Sequence, residues 1–100
     1  MSDQVIPYNK QSIDLYDIKA VNKVLKSKFL TQGPKNQIFC NKISKYAKSK
    51  YALVLNSATS ALHIACLALN LKKNDFLWTS SNTFISSATA GIHCGAKINL

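Results

Sequence analysis

The sequence has 100 residues, 47% of them hydrophobic and 9% aromatic, which is the composition of a folding chain rather than a disordered one. No apolar run approaches the roughly 20 residues a membrane span needs. The polar opening "MSDQVIPYNKQSID" lacks the apolar core of a signal peptide, so a soluble, cytoplasmic protein with no membrane partner is expected. The net charge of +9 raises nucleic acid as a partner, but all thirteen cations are Lys and all four anions are Asp. Arg, the side chain suited to bidentate reading of bases and phosphates, does not occur. The charge is therefore read as biased composition, with no nucleic-acid partner and at most a mild pull on an anionic small substrate.

Asp14 can cap a helix over residues 14–28, in which Ile18, Val21, Val24 and Leu25 recur at three- and four-residue steps. The stretch "FLTQGPK", residues 29–35, breaks it with Gly33 and Pro34. A second helix follows, with Ile38, Phe39, Ile43, Tyr46 and Ala47 on one stripe. Lys42, Lys45, Lys48 and Lys50 read as its solvated face. "YALVLN", residues 51–56, reads as a buried strand. Residues Thr59 to Leu69 form a helix that is apolar nearly all round, which places it inside a layered structure. "NLKKND" is a turn, "FLWTS" a short strand, and "NTFISSATAGIHC" a third helical region closed by Gly95. "AKINL" opens another strand.

From residue 51 the order is strand, helix, strand, helix, strand. Short apolar strands alternating with helices imply an α/β fold, with a mostly parallel sheet covered by helices on both faces. Leu100 falls inside a strand, and three strands with open edges make a poor independent domain. The chain is read as the N-terminal part of a longer protein: a helical segment over 1–50, then the start of an α/β domain over 51–100. Cys40, Cys66 and Cys94 form no C-x-x-C pair, and neither His63 nor His93 has a zinc-site spacing with them. Three reduced, buried thiols and no metal are expected.

The informative junction is "LNSATSALH". In parallel α/β folds ligands bind beyond the carboxyl ends of the strands, where the next helix opens with unpaired N–H groups and a partial positive charge. Ser57, Thr59 and Ser60 around Ala58 offer small residues and hydroxyls there, as a phosphate cup requires. The same residues also fit a plain N-cap. Neither a P-loop nor a dinucleotide fingerprint is present. Phe84 lies at the next strand-to-helix junction. A flat ring beside a phosphate cup suits a planar phosphorylated cofactor, whereas a core Phe is the structural alternative.

Taken together, "IPYNKQSIDLYDIKAVNKVLKSKFLTQGPK", "YALVLNSATSALHIACLALNL" and "NTFISSATAGIHCGAKI" resemble the N-terminal part of the sugar-nucleotide aminotransferases of the DegT–StrS group. These are fold type I enzymes dependent on pyridoxal 5'-phosphate (PLP). Within the group the combination of "LTQGPK" and "NSATSALH" most resembles transaminases that aminate a UDP-linked 4-keto-6-deoxy-N-acetylhexosamine. The resemblance implies that Ala58 and Thr59, followed by Ser60, bind the PLP phosphate, and that Phe84 stacks on the pyridine ring. It implies that Thr31 and Gly33, in the 1–50 segment, border the substrate pocket. It further implies a homodimer that takes its amino group from a donor such as glutamate and passes it to the keto-sugar.

The sequence departs from the pattern at "KKND", "AKSKYA" and Ser80, where the group favours Gly or Pro. The group's Schiff-base Lys lies downstream, and none of the thirteen Lys matches its motif, so residues 1–100 alone are expected to be inactive. A sugar dehydratase of the same group and a non-enzymatic phosphate-binding α/β module are the alternative readings. One expectation follows from charge alone. Duplex DNA should bind the protein weakly, without sequence preference, and release it as salt rises through the physiological range. A fluorescence titration across salt checks this, and sequence-selective binding at high salt would overturn the reading.

Overall fold

The computed structural model describes residues 6–100, so the first five residues of the polar opening lie outside it. Helices α1 (Leu15–Leu25), α2 (Pro34–Ala47) and α3 (Ala58–Ala68) precede strand β1 (Phe76–Trp78), helix α4 (Ser86–His93) and strand β2 (Lys97–Asn99). The chain divides after Ile38 into two compact units.

In the first unit, α1 starts where the sequence predicts. Asp14 caps it, its Oδ1 accepting from the N–H groups of Tyr16 (2.7 Å) and Asp17 (3.0 Å). Asp17 returns the bond, its Oδ2 accepting from the Asp14 N–H at 3.0 Å, which closes a capping box. The helix ends at Leu25, short of the expected residue 28. Gly33 is required by space: an added Cβ would lie 3.0 Å from both the Cβ and the carbonyl oxygen of Phe29. Pro34 opens α2 at the first helical position, where its missing N–H costs nothing.

The second unit is built on a parallel pairing of β1 and β2 in the register Phe76↔Lys97, Leu77↔Ile98, Trp78↔Asn99. Helix α4 packs against both strands and against α3. Gly91 sits over the Leu77–Ile98 pair, where an added Cβ would come within 2.8 Å of Leu77 Cδ2 and 3.0 Å of Ile98 Cδ1. Ser86, Ala90, Gly91 and Ala96 are buried around this contact. α3 and α4 end alike, with 6→1 bonds Leu71 N–H to Cys66 C=O and Ala96 N–H to Gly91 C=O, each 3.0 Å. The residues at the turn, Asn70 (φ 57°) and Gly95 (φ 82°), are left-handed, so both are Schellman ends.

Several expectations need correction. Residues 51–56 are not a buried strand: Tyr51 and Leu53 are exposed, and β1 pairs only with β2 among the described residues. A run of apolar residues supplies strand propensity but not a ladder partner, and pairing is what defines a strand. The other two strands span 76–78 and 97–99, shorter than read, and the third helical region begins at Ser86 instead of residue 82. Helix α3 buries only Cys66, so its remaining apolar surface is uncovered among the described residues. Cys40 and Cys66 are buried and form no disulfide among the described residues, while Cys94, also expected to be buried, is half-buried. Lys42, Lys45, Lys48 and Lys50 are exposed as read, but so are Ile43 and Tyr46 on the apolar stripe.

The buried apolar residues of the described chain are Cys40, Cys66, Ala90 and Ala96, with no large side chain fully buried. So little covered apolar surface cannot offset chain entropy. A chain cut to residues 1–100 should therefore show no cooperative thermal unfolding and should aggregate on concentration. Differential scanning calorimetry with light scattering checks this, and a sharp transition of a soluble monomer would refute it.

Candidate cofactor and substrate site

At the α3 junction Ser57 is the N-cap, in extended conformation (φ −157°, ψ 157°). Its Oγ accepts from the Ser60 N–H at 3.2 Å and lies 3.0 Å from Ser60 Oγ, and its carbonyl takes the Ala61 N–H at 3.1 Å. The cap is thus made by Ser57 and Ser60, and Thr59 has no part in it. The N–H groups of Ala58 and Thr59 and the Thr59 hydroxyl have no partner among the described residues. The first turn of α3 carries no acidic side chain. Two amides and a hydroxyl at a helix N-terminus are donors held where the helix dipole favours an anion.

Phe84 precedes α4 and is 73% exposed among the described residues. It lines a cleft of about 440 Å³ together with Thr79, Ser80, Thr83, Ile85 and Ile98. Backbone bonds hold the rim: the Phe84 C=O accepts from the Ser87 N–H at 3.0 Å, and Thr83 Oγ1 lies 3.0 Å from Ser87 Oγ. The Thr79 N–H extends the ladder to the Asn99 C=O at 3.0 Å, so the cleft opens where β1 and β2 end. Ala58, Thr59 and Ser60 do not line it.

The two features nonetheless share one end of the unit. Gly95, just past the end of α4, lies against the backbone of Lys73 in the turn after α3, where an added Cβ would come within 3.5 Å of the Lys73 N. The strands that follow start level, Phe76 beside Lys97. With the helix C-termini and strand starts together, the N-termini of α3 and α4 lie toward the strand carboxyl ends, where α/β folds bind ligands. The first turn of α3, Ser57 to Ser60, and Phe84 are therefore toward the same end of the unit.

Thr31 and Gly33 belong to the first unit. Gly33 lines a cleft of about 290 Å³ with Lys23, Phe29, Gln32, Pro34 and Asn36, whereas Thr31 is exposed and does not line it. Sequence reasoning missed the split of roles between Ser57, the cap, and Thr59, the free hydroxyl. It also missed Ser80 and Thr83 in the Phe84 cleft. The density of hydroxyls in "TSSNT" was the available signal.

Known proteins resemble the chain over nearly its whole length. Residues 11–100 match the DegT/DnrJ/EryC1/StrS aminotransferase family. The chain is 45% identical over 94 residues to the UDP-4-amino-4,6-dideoxy-N-acetyl-beta-L-altrosamine transaminase of Campylobacter jejuni serotype O:23/36, covering 94% of this chain and 25% of that protein. It is 34% identical over 97 residues to the UDP-4-amino-4-deoxy-L-arabinose–oxoglutarate aminotransferase of Shewanella sediminis, covering 97% of this chain and 25% of that protein. A putative sugar aminotransferase from Streptococcus pneumoniae, solved in its PLP form, superposes with a TM-score of 0.85 at 29% identity, over 94% of this chain and 24% of that one. The chain thus spans about a quarter of the length of the curated relatives it matches. The fold is the N-terminal part of the fold type I PLP-transferase domain, helices on a short parallel sheet, and the chain belongs to the DegT/DnrJ/EryC1/StrS aminotransferase family.

Proposed function

We propose that the full-length protein carrying this chain is a PLP-dependent sugar-nucleotide transaminase. In this reading it moves an amino group from glutamate to a UDP-linked 4-keto-6-deoxy-N-acetylhexosamine, as a cytoplasmic homodimer. Two of the similar proteins are named as transaminases of UDP-linked amino sugars, which supports the substrate class. The observation that carries the cofactor assignment is the set of unpartnered donors at the first turn of α3, toward the same end of the unit as the exposed ring of Phe84. These residues fit a phosphorylated planar group: donors without partners for the anion, and a free flat face for the ring.

The Ala58 and Thr59 N–H groups and the Thr59 hydroxyl would hold the phosphate. Ser60 would contribute at most its hydroxyl, since its N–H is spent on Ser57. Phe84 would stack on the pyridine ring and keep water from one face of it. When bound, PLP supplies the electron sink for the proton transfers of transamination. Thr31 and Gly33, in the 1–50 segment, would border the sugar pocket, with 51–100 as the start of the cofactor-binding domain. Residues 1–100 alone would be inactive, because the Lys that moves the proton would come from outside them.

The test is PLP binding by folded variants of the full-length protein. Thr59→Val removes one hydrogen bond to a charged group, a loss of about 1.5–3 kcal/mol, and so should weaken PLP by roughly ten- to a hundred-fold. Its thermal stability should barely change, since Thr59 caps nothing. Ser57→Ala should do the reverse, lowering stability by about 1 kcal/mol through the lost cap and affecting PLP less. Phe84→Ala should weaken PLP and shift the cofactor's absorption band, while Phe84→Trp retains binding. Unchanged PLP affinity in both Thr59→Val and Phe84→Ala would sink the cofactor assignment.

A further inference from the structure

The α3–α4 contact brings together two imidazoles that are far apart in sequence. His63, in the middle of α3, and His93, in the last turn of α4, have ring centroids 5.3 Å apart and ring planes tilted by 50°. Among the described residues His63 is half-buried and His93 exposed, so neither ring is enclosed by them. The tilt is not that of flat stacking. At metal–nitrogen distances of about 2.0–2.1 Å, two imidazoles on one tetrahedral ion hold their ring centres about 5 Å apart. Exposed carbonyl ends of a helix also favour positive charge, and His93 sits at such an end.

We propose that His63 and His93 form a two-imidazole site for a first-row transition dication such as Zn2+ or Cu2+, with water completing the coordination and the ion clamping α3 to α4. Inner-sphere coordination to neutral imidazole is also what lets a dication bind a chain of net charge +9. Nothing in the cofactor site is used: His63 and His93 lie apart from the first turn of α3 and from the Phe84 cleft.

The experiment titrates the full-length protein with Zn2+ alone against a chromophoric chelator, and with Cu2+ alone by electron paramagnetic resonance. Wild type should take one ion and show coupling to two nitrogens. His63→Gln and His93→Gln should each reduce Zn2+ affinity by at least the roughly 10- to 100-fold that loss of even an outer-shell partner costs. Each should also drop the Cu2+ signal to one nitrogen. Cys66→Ser and Cys94→Ser should leave both readouts unchanged. Far-UV circular dichroism establishes that each variant is folded. A wild type that takes up no ion, or folded His variants that bind as wild type does, would overturn the proposal.

Discussion

The second unit depends on how closely α4 approaches the sheet at Gly91. The residue sits over the paired side chains Leu77 and Ile98, one from each strand, and a Cβ there would come within 2.8 Å of one and 3.0 Å of the other. A glycine in mid-helix costs about 0.5–1 kcal/mol relative to Ala, so its use here is set by contact rather than by helix preference. The approach lets Ala90 bury beside it and holds both strands under one helix. With strand and helix directions fixed, the openings of α3 and α4 must face the strand carboxyl ends. The ring of Phe84, in the entry loop of α4, inherits its placement from that contact, whereas the amides of Ala58 and Thr59 follow from the packing of α3 on α4.

The turns at the other end explain how the chain tolerates its departures from the family's usual residues. Three helices close with 6→1 bonds, Ser49 to Ser44, Leu71 to Cys66 and Ala96 to Gly91. Each needs one left-handed residue, and the chain uses Lys48 (φ 53°), Asn70 (φ 57°) and Gly95 (φ 82°). Asn tolerates that region because its short side chain bonds locally; Lys occupies it at a steric cost. The "KKND" turn is rebuilt the same way. Asn74 takes φ 80°, and Asp75 Oδ2 accepts the Lys72 N–H at 2.9 Å. The two turns are thus formed without glycine, and "AKSKYA" and "KKND" lie away from Ala58, Thr59 and Phe84.

How far the sequence could be read follows from the range of each interaction. The Asp14 capping box, the Gly95 helix end and the "NSATS" junction are local, set within four or five residues, and they stand where the sequence puts them. The division of labour between Ser57 and Thr59 was not legible, because either hydroxyl satisfies the same cap preference until the chain direction into α3 is known. The strand at 51–56 and the inside position of α3 failed for a different reason. Apolar pattern states that a surface ought to be covered, not what covers it, and no described residue covers Leu53 or Leu69. The His63–His93 contact joins two helices through the fold, and no spacing rule sees it.

These points converge on α3. The helix presents the candidate phosphate donors at its first turn, yet it buries only Cys66 and packs, among the described elements, on α4 alone. The aim of the Ala58 and Thr59 amides is therefore set by the α3–α4 contact, not by the N-terminus itself. His63 stands about one and a quarter turns from those amides, at 3.6 residues per turn, in the part of α3 that meets His93. A small rotation of α3 about that contact would swing its first turn relative to the Phe84 ring, which is carried by α4's own entry loop. The candidate anion donors and the candidate stacking ring are held in register by helix packing remote from both, so the proposed site would be as rigid as that packing and no more.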